Sequence, residues 1–492
     1  MTGLLASSRI EPYVSIQGGM PSRGRLLLVS WNFPPALTAG SLRWQKMAHI
    51  AAERGWAFDV VTVDPAQHGR RDPQSLEQLA PGTRVFTVDA PTLLMARAEH
   101  AAWRVLQGLR ALRPRVREDA TARTGSTDGG AAAPTATPRP RPGSFKSESV
   151  RWMPREPRDL LRAYYAWQFT AQEEAWARAA ARLATGLVHE NAYDAVITSG
   201  PPHMSHVAGY LVSRETGLAH VMDMRDPWSL SERLLEPFAS RLWLALADRA
   251  ERRVINNATL VVANTEAARR GLARRYPHLA DRLITVMNGY DDATPTRVAT
   301  ARFTATYAGS IYLDRDPSPL FRAAARTIAE LGLTPDDFAL EFIGEVASFD
   351  GVSLETLAER AGVGAFVHRH DPLPRRELAS RLVSTAMLVS LPQDSTMAIP
   401  SKVFEYMPYA AWLLALADRG TATELLLRDT TADVVSPDDE DGLARVLTQR
   451  VREHRAGIVP QPTARASFSR RAQTEHFLDA LDRIQIGARP AG

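Results

Sequence analysis

"GRLLLVSWNFPPALTAGSLRWQKMAHIAAERGWAFDVVTVD", residues 24–64, is the stretch that decides the fold. Its apolar run at 25–30 is short and dominated by Leu and Val. From Ser41 to Glu53 the apolar residues recur at helical spacing, and 57–63 returns to a β-branched run. Strand, loop, helix and strand in that order call for a parallel pair of strands with a helix laid across them.

Working outward, the same alternation continues with "TRVFTVD" (83–89). It resumes with "YDAVITS" (193–199), a helix from His203 to Thr216, "AHVMDM" (219–224), helical runs to Asn257, "TLVVAN" (259–264) and "LITVMN" (283–288). A second series begins with "FTATYAGS" (303–310) and "FALEFIGE" (338–345). It runs through "AFVHRH" (365–370), a helix from Arg375, "TAMLVSL" (385–391), "AWLLALA" (411–417), a helix from Asp438 to Arg455 and a terminal helix at 465–486.

With 492 residues, 45% of them hydrophobic, the chain exceeds the roughly 250–300 residues at which a single core stops growing. The expected layout is an α/β chain of two Rossmann-like domains whose parallel sheets face across a cleft. Residues 1–24 form an N-terminal extension, 25–290 the first domain, 291–302 a polar linker containing Pro295, 303–464 the second domain, and 465–492 a terminal helix and tail.

Composition removes several function classes. There is no cysteine, and the twelve histidines show no metal-ligand spacing, so neither a disulfide framework nor a metal site is expected. Arginines are spread along helices under a net charge of +4, which argues against a nucleic-acid partner. No run of about 18 apolar residues suggests a membrane span, and a cytoplasmic location is expected. Residues 118–150 hold almost no large apolar side chain and read as a disordered insertion in the first domain. Residues 93–117 form an amphipathic, arginine-rich stretch with Glu99 as its sole acid. It fits an ordinary solvated helix face or peripheral contact with the inner face of a membrane.

Ligands in open parallel sheets bind beyond the carboxyl ends of the strands, so the loops there carry the chemistry. "WNFPPALTAGSLRW" (31–44) brings Gly40 and Ser41 to a helix start whose free amides favour an anion, or form a turn and an N-cap. "TSGPPHMSH" (198–206) presents His203 and His206, where an imidazole reaches a reacting hydroxyl or sits in a capping role. "DMRDPW" (223–228) brackets Arg225 with two carboxylates, as an internal ion-pair cluster or a site wall. "YAGSIYLDRDP" (307–317) supplies Gly309 and Arg315, the latter suited to bidentate phosphate contact. In "IPSKVFEYM" (399–407), Lys402 and Glu405 stand three apart on one helical face, a cation for a diphosphate and a carboxylate for the two hydroxyls of a ribose.

Together "VSWNFPPALTAGSLRWQKMA", "TSGPPHMSHVAGYL", "DMRDPW", "VMNGYD", "YAGSIYLDRDP" and "PSKVFEYM", in this order, resemble the landmarks of family-four glycosyltransferases of GT-B fold across most of residues 25–465. The resemblance implies a retaining transfer from a nucleotide-diphosphate sugar, held by the second domain, to an acceptor on the first. That acceptor is a glycan, a lipid-linked molecule or a small molecule, and cell-envelope glycan biosynthesis is the expected setting. It implies no cofactor and no metal. Carried over by residue, Glu405 grips the ribose, Lys402 and Arg315 face the diphosphate with Gly40, Ser41 and Gly309 nearby, and His203 and Asp226 act beside the transferred sugar or acceptor. Lys402 and Glu405 are expected to be unpaired partners for the ligand.

Two positions depart from the family pattern. Many relatives carry a glutamate eight residues before the ribose-binding one, where this chain has Met397, so backbone amides of Thr396 to Ile399 are expected to contact the donor sugar. The small residue and glycine that usually follow "EYM" are replaced by "PYAAW", leaving Pro408 to stop the helix. A nucleotide-sugar epimerase on a similar fold and a non-catalytic nucleotide-sugar-binding relative share these features. A dehydrogenase is disfavoured, because no G-x-G-x-x-G follows the first strand.

Overall fold

The computed structural model describes residues 10–19, 21–93, 95, 144–147, 150, 156–393 and 395–488. The arginine-rich stretch at 93–117 lies outside the described residues except for Leu93 and Met95, and so does most of the insertion at 118–150.

Two sheets organise the chain. The first runs Val14–Ser15, Arg84–Val88, Trp56–Val63, Gly24–Ser30, Ala195–Gly200, His220–Met224, Leu260–Ala263, Leu283–Thr285, and is parallel except at the Val14–Ser15 edge. The second is wholly parallel, in the order Val367–His370, Phe338–Glu345, Phe303–Ser310, Met387–Ser390, Trp412–Leu416, Asp433–Val435. No strand or helix interrupts 291–302. This is the two-sheet α/β architecture that the alternating pattern predicts.

The sheets are parallel because both of their faces are covered. Along the strand Gly24–Ser30, Leu27 and Val29 face a core shared with Trp176, Ala177 and Ala180 of the helix Pro157–Glu190. Leu26 and Leu28 face the opposite core, with Trp44 and Met47 of the helix Ala39–Glu53. Alternate side chains thus supply two apolar layers, and a polar substitution at any of the four would bury an unpaired group at a cost of about 1–3 kcal/mol.

Three elements differ from the sequence reading. The 34-residue helix Pro157–Glu190 was not anticipated; Pro157 sits in its first turn and Glu156 and Asp159 form a capping box. The expected disorder does not extend to 150. Ser144–Lys146 pairs antiparallel with Arg233–Leu235, and Val150 is buried beside Leu234 and Ala239, because this end of the segment does bring apolar surface to a core. Finally, the terminal helix Arg470–Ala488 returns to the first sheet, where Phe477, Leu478 and Leu481 join Trp44 in its core.

Candidate functional site

The strand ends named above meet at a cleft of about 540 Å³ lined from both halves. Arg225, Asp226 and Asn264 line it from the first domain, and Gly309, Arg315 and Lys402 from the second.

On the first-domain side, burial dominates. His203 stacks on Trp228 with centroids 5.3 Å apart at 16°. Burial, reinforced by the Arg225 charge and opposed by a hydrogen bond to the Pro227 backbone, pushes its pKa down to about 3. The ring is therefore neutral near pH 7, and its Nδ1 finds no hydrogen-bond partner among the described residues. His206 is not a site residue. It is fully buried, and its Nδ1 shares Thr198 Oγ1 (2.9 Å) with Nε2 of the buried His220 (2.7 Å). As neutral rings the two can share the hydroxyl, one accepting its proton and the other donating to its oxygen, and burial holds both well below the usual histidine range, His220 at about 3.

Arg225 belongs to the same wall. One Nη donates to the Pro201 carbonyl at 2.5 Å, while its Nε is buried without a partner among the described residues. Burial lowers its pKa, and the neighbouring Asp226 and Asp223 carboxylates oppose that. Asp223 itself pairs with the buried Arg43 at 3.1 Å, so of this segment's charges Arg225 and Asp226 are the ones that reach the cleft, beside Glu232 and Arg233. Gly40 explains how the guanidinium fits, since a Cβ there would lie 2.0 Å from its Nη1. The glycine makes room for a cation. The amide expected to be free at Ser41 is not: it donates to Thr38 Oγ1 at 3.2 Å as part of the N-cap, and the Ser41 side chain is buried. Asn264, 5% exposed with its amide oxygen lacking a partner among the described residues, completes this wall.

The second-domain side is more open. Arg315 lies over the Tyr312 ring at 4.2 Å, in the loop that follows the strand ending at Gly309 and Ser310. Lys402 and Glu405 rise from the short helix Ser401–Tyr406, which stops two residues before Pro408. They are paired rather than apart, with Lys402 Nζ 2.7 Å from Glu405 Oε2. Their i,i+3 spacing puts them within reach of one another, so each is the other's nearest opposite charge. Both side chains remain about a third exposed, at 31% and 33%. Burial pushes the Glu405 carboxyl up, but Lys402, with help from Arg375 and Arg470, holds it below the usual range. Lys402 lines the cleft, and Glu405 stands just behind it.

Met397 turns away from this wall, and the amides around it are taken. That of Thr396 donates to Glu232 at 2.6 Å, and those of Met397 and Ala398 to Ser395 Oγ at 3.1 Å each. The expectation that the Thr396–Ile399 amides await a donor sugar therefore fails for the first three. Arg225, Asn264 and Glu232 are cleft residues that sequence reasoning did not single out as ligand contacts. The signal available for the first two was a polar residue at a strand's carboxyl end.

Residues 130–289 match the model of the glycosyl transferase 4-like domain. Among solved structures the fold is similar to that of sucrose-phosphate synthase from Thermosynechococcus elongatus (13% identity, 95% of this chain and 100% of the other, TM-score 0.53). It is similar to Anabaena HepE in complex with UDP-glucose (12% identity, 94% and 100%, TM-score 0.53). A third likeness is to an E. coli structure described as trehalose-6-phosphate bound with UDP-2-fluoro glucose (12% identity, 93% and 99%, TM-score 0.54). No curated protein sequence matches the chain. The fold is GT-B, two parallel-sheet domains about a cleft. The resemblance to family-four-like glycosyltransferases drawn from the motifs stands on that shared fold and on the matched domain.

Proposed function

We propose that this chain is a retaining glycosyltransferase that moves a sugar from a nucleotide-diphosphate donor to an acceptor bound by the first domain. The observation that carries the reading is the convergence of Arg225, Arg315 and Lys402 on one cleft at the carboxyl ends of two parallel sheets. With Arg233 paired to Asp314, these three cations, set beside the Asp226 and Glu232 carboxylates on the same lining, suit a diphosphate bridge, and guanidinium groups bind such oxygens bidentately. The charge compensation is assigned to these side chains.

In this reading Lys402 leaves Glu405 for the phosphate and Glu405 accepts both ribose hydroxyls, an exchange that costs little because the pair is solvent-accessible. Gly309 lets the backbone approach the diphosphate. The acceptor oxygen bonds to the anomeric carbon as the bond from that carbon to the phosphate oxygen breaks. The nucleoside diphosphate leaves with the electron pair, and the acceptor proton passes to the leaving phosphate on the same face, giving retention. Asp226 and the neutral His203 orient the acceptor hydroxyl.

Uridine donors are the first to try, because similar folds carry UDP-glucose and UDP-2-fluoro glucose. Peripheral contact with the inner face of a membrane is part of the proposal, together with a cytoplasmic, cell-envelope role. It is supported by Leu160, Leu161, Trp167 and Phe169, all 40% or more exposed on the first turns of the helix Pro157–Glu190. No helix among the described residues is long and apolar enough to cross a membrane. The test is a thermal-shift panel of UDP-, GDP-, dTDP- and ADP-sugars. A ligand at about 100 times its dissociation constant adds roughly 2.7 kcal/mol, and no shift with any of them overturns the reading.

A further inference from the structure

Met397 stands where the chain's second half reaches into its first. Its side chain packs on the apolar core of the first domain, in a pocket lined by Pro227, Trp228, Leu230, Ala268 and Leu272. The helix Glu266–Arg275 passes so close at Gly271 that a Cβ there would sit 3.5 Å from the methionine sulfur.

The backbone on either side is bonded across the same gap. Thr265 Oγ1 accepts from the Ala268 amide at 3.0 Å as a helix N-cap, which directs its proton to the Met397 carbonyl at 2.5 Å. Glu232, on the first-domain loop that leads into the strand Arg233–Leu235, accepts from the Thr396 amide at 2.6 Å, from Ser395 Oγ at 3.3 Å and from the Thr396 hydroxyl. Next to Glu232, Arg233 pairs with Asp314 of the second domain. One apolar plug and a set of directional bonds therefore hold residues 395–397, and Pro400, three residues on, caps the helix that carries Lys402.

We propose that Met397 and Glu232 are positioning residues that fasten residues 395–400 to the first domain and so set where Lys402 stands in the cleft. The nature of the ligand rests on the nucleotide-sugar reading; the fastening does not. The residue types fit the task. Methionine is unbranched and adaptable, so it fills an irregular socket and can leave it, whereas a carboxylate at 397 would be stripped of water in an apolar pocket. Glu232 offers two acceptor oxygens, and three donors of the loop use them.

The test compares full-length Met397→Ala, Met397→Glu, Glu232→Ala and the conservative Met397→Leu with the parent, first without added nucleotide. Amide hydrogen exchange at 396–398 is expected to rise on the order of tenfold or more in the first three, with Met397→Leu close to the parent. Small-angle scattering should report an expanded molecule for Met397→Glu. Calorimetry should then show the advantage of UDP over uridine reduced several-fold in Met397→Ala and restored in Met397→Leu. Parent-like exchange and scattering in Met397→Glu would overturn the proposal. So would faster exchange spread evenly through both sheets, the mark of a merely structural role. If the fastening behaves as expected while the parent binds no nucleotide or nucleotide sugar, the function reading fails and the positioning role stands.

Discussion

The two walls of the cleft solve opposite problems. The second domain offers Lys402, Glu405 and Arg315 on accessible loops and a short helix, where charge is inexpensive to hold and free to move. The first domain offers Arg225 and Asn264, each with a buried polar atom that has no partner among the described residues, while His203 stacks on Trp228 and does not line the cleft. The second-domain wall can release its ion pair to a ligand. The first-domain wall already holds buried polar atoms before anything binds, which suits it to orient a reacting hydroxyl.

That contrast can be broken at its widest point by pH. His203 and His220 are held at about 3 and His206 well below its ordinary value, all by burial first. A histidine whose folded pKa is depressed gives its full stability above the unfolded value near 6.5 and loses it as pH falls toward 3, because the unfolded chain takes up the proton first. Stability should therefore fall as pH drops from 6.5 toward 4.5, with His206 and His220 both contributing to the loss. Denaturant titrations of the parent across that range, beside a His206→Gln, His220→Gln double variant with a flatter profile, check this. An identical slope in both would refute it.

The open wall is tested next by Glu405→Ala. Two charge-assisted hydrogen bonds of about 1.5–3 kcal/mol each would be lost from the ribose, so sugar-nucleotide affinity should fall on the order of a hundredfold or more. Lys402→Ala should weaken UDP and spare uridine. Isothermal titration of both ligands separates these outcomes, and unchanged donor affinity in a folded Glu405→Ala protein would remove the site assignment.

A smaller effect sharpens the buried wall. Arg225→Gln should weaken diphosphate binding by roughly tenfold, and Gly40→Ala should do the same by displacing the guanidinium rather than deleting it. If Arg225→Gln weakens binding and Gly40→Ala does not, the glycine's role as a cradle is wrong. The smallest effect expected is on folding. As a partly exposed i,i+3 pair, Lys402 and Glu405 contribute about 0–1 kcal/mol, so neither alanine variant should shift the melting temperature by more than a few degrees.

How much of this was legible in the sequence follows the same division. Leu26 to Val29 announce a strand covered on both faces, and the repeated strand and helix order gives both sheets. Spacing along one helix correctly put Lys402 beside Glu405, but not what each would bond, since proximity on a helix is local and partner choice is not. The Thr38 cap on Ser41 was within reach of sequence rules, because a threonine three residues ahead of a helix amide is a familiar acceptor. The helix Pro157–Glu190 escaped because its apolar residues, many of them alanine, are spread around the helix and mark no single face strongly. Met397 was recognised only as a missing carboxylate. Its actual neighbours, Trp228 and Leu272, lie more than a hundred residues away, in the other half of the chain.

The return of the helix Arg470–Ala488 to the first sheet has a mechanical consequence. The chain passes between the halves twice, once through 291–302 and again on the way back to Arg470, where Arg470 pairs with Asp291 at 2.8 Å and so ties the two crossings together. Two tethers bound side by side allow bending about the line that joins them and resist twisting. For opening of the cleft, such tethers favour a rocking motion over a twisting one. Truncation after residue 464 would free that motion and uncover Trp44 at the same time, so neither half is an independent part.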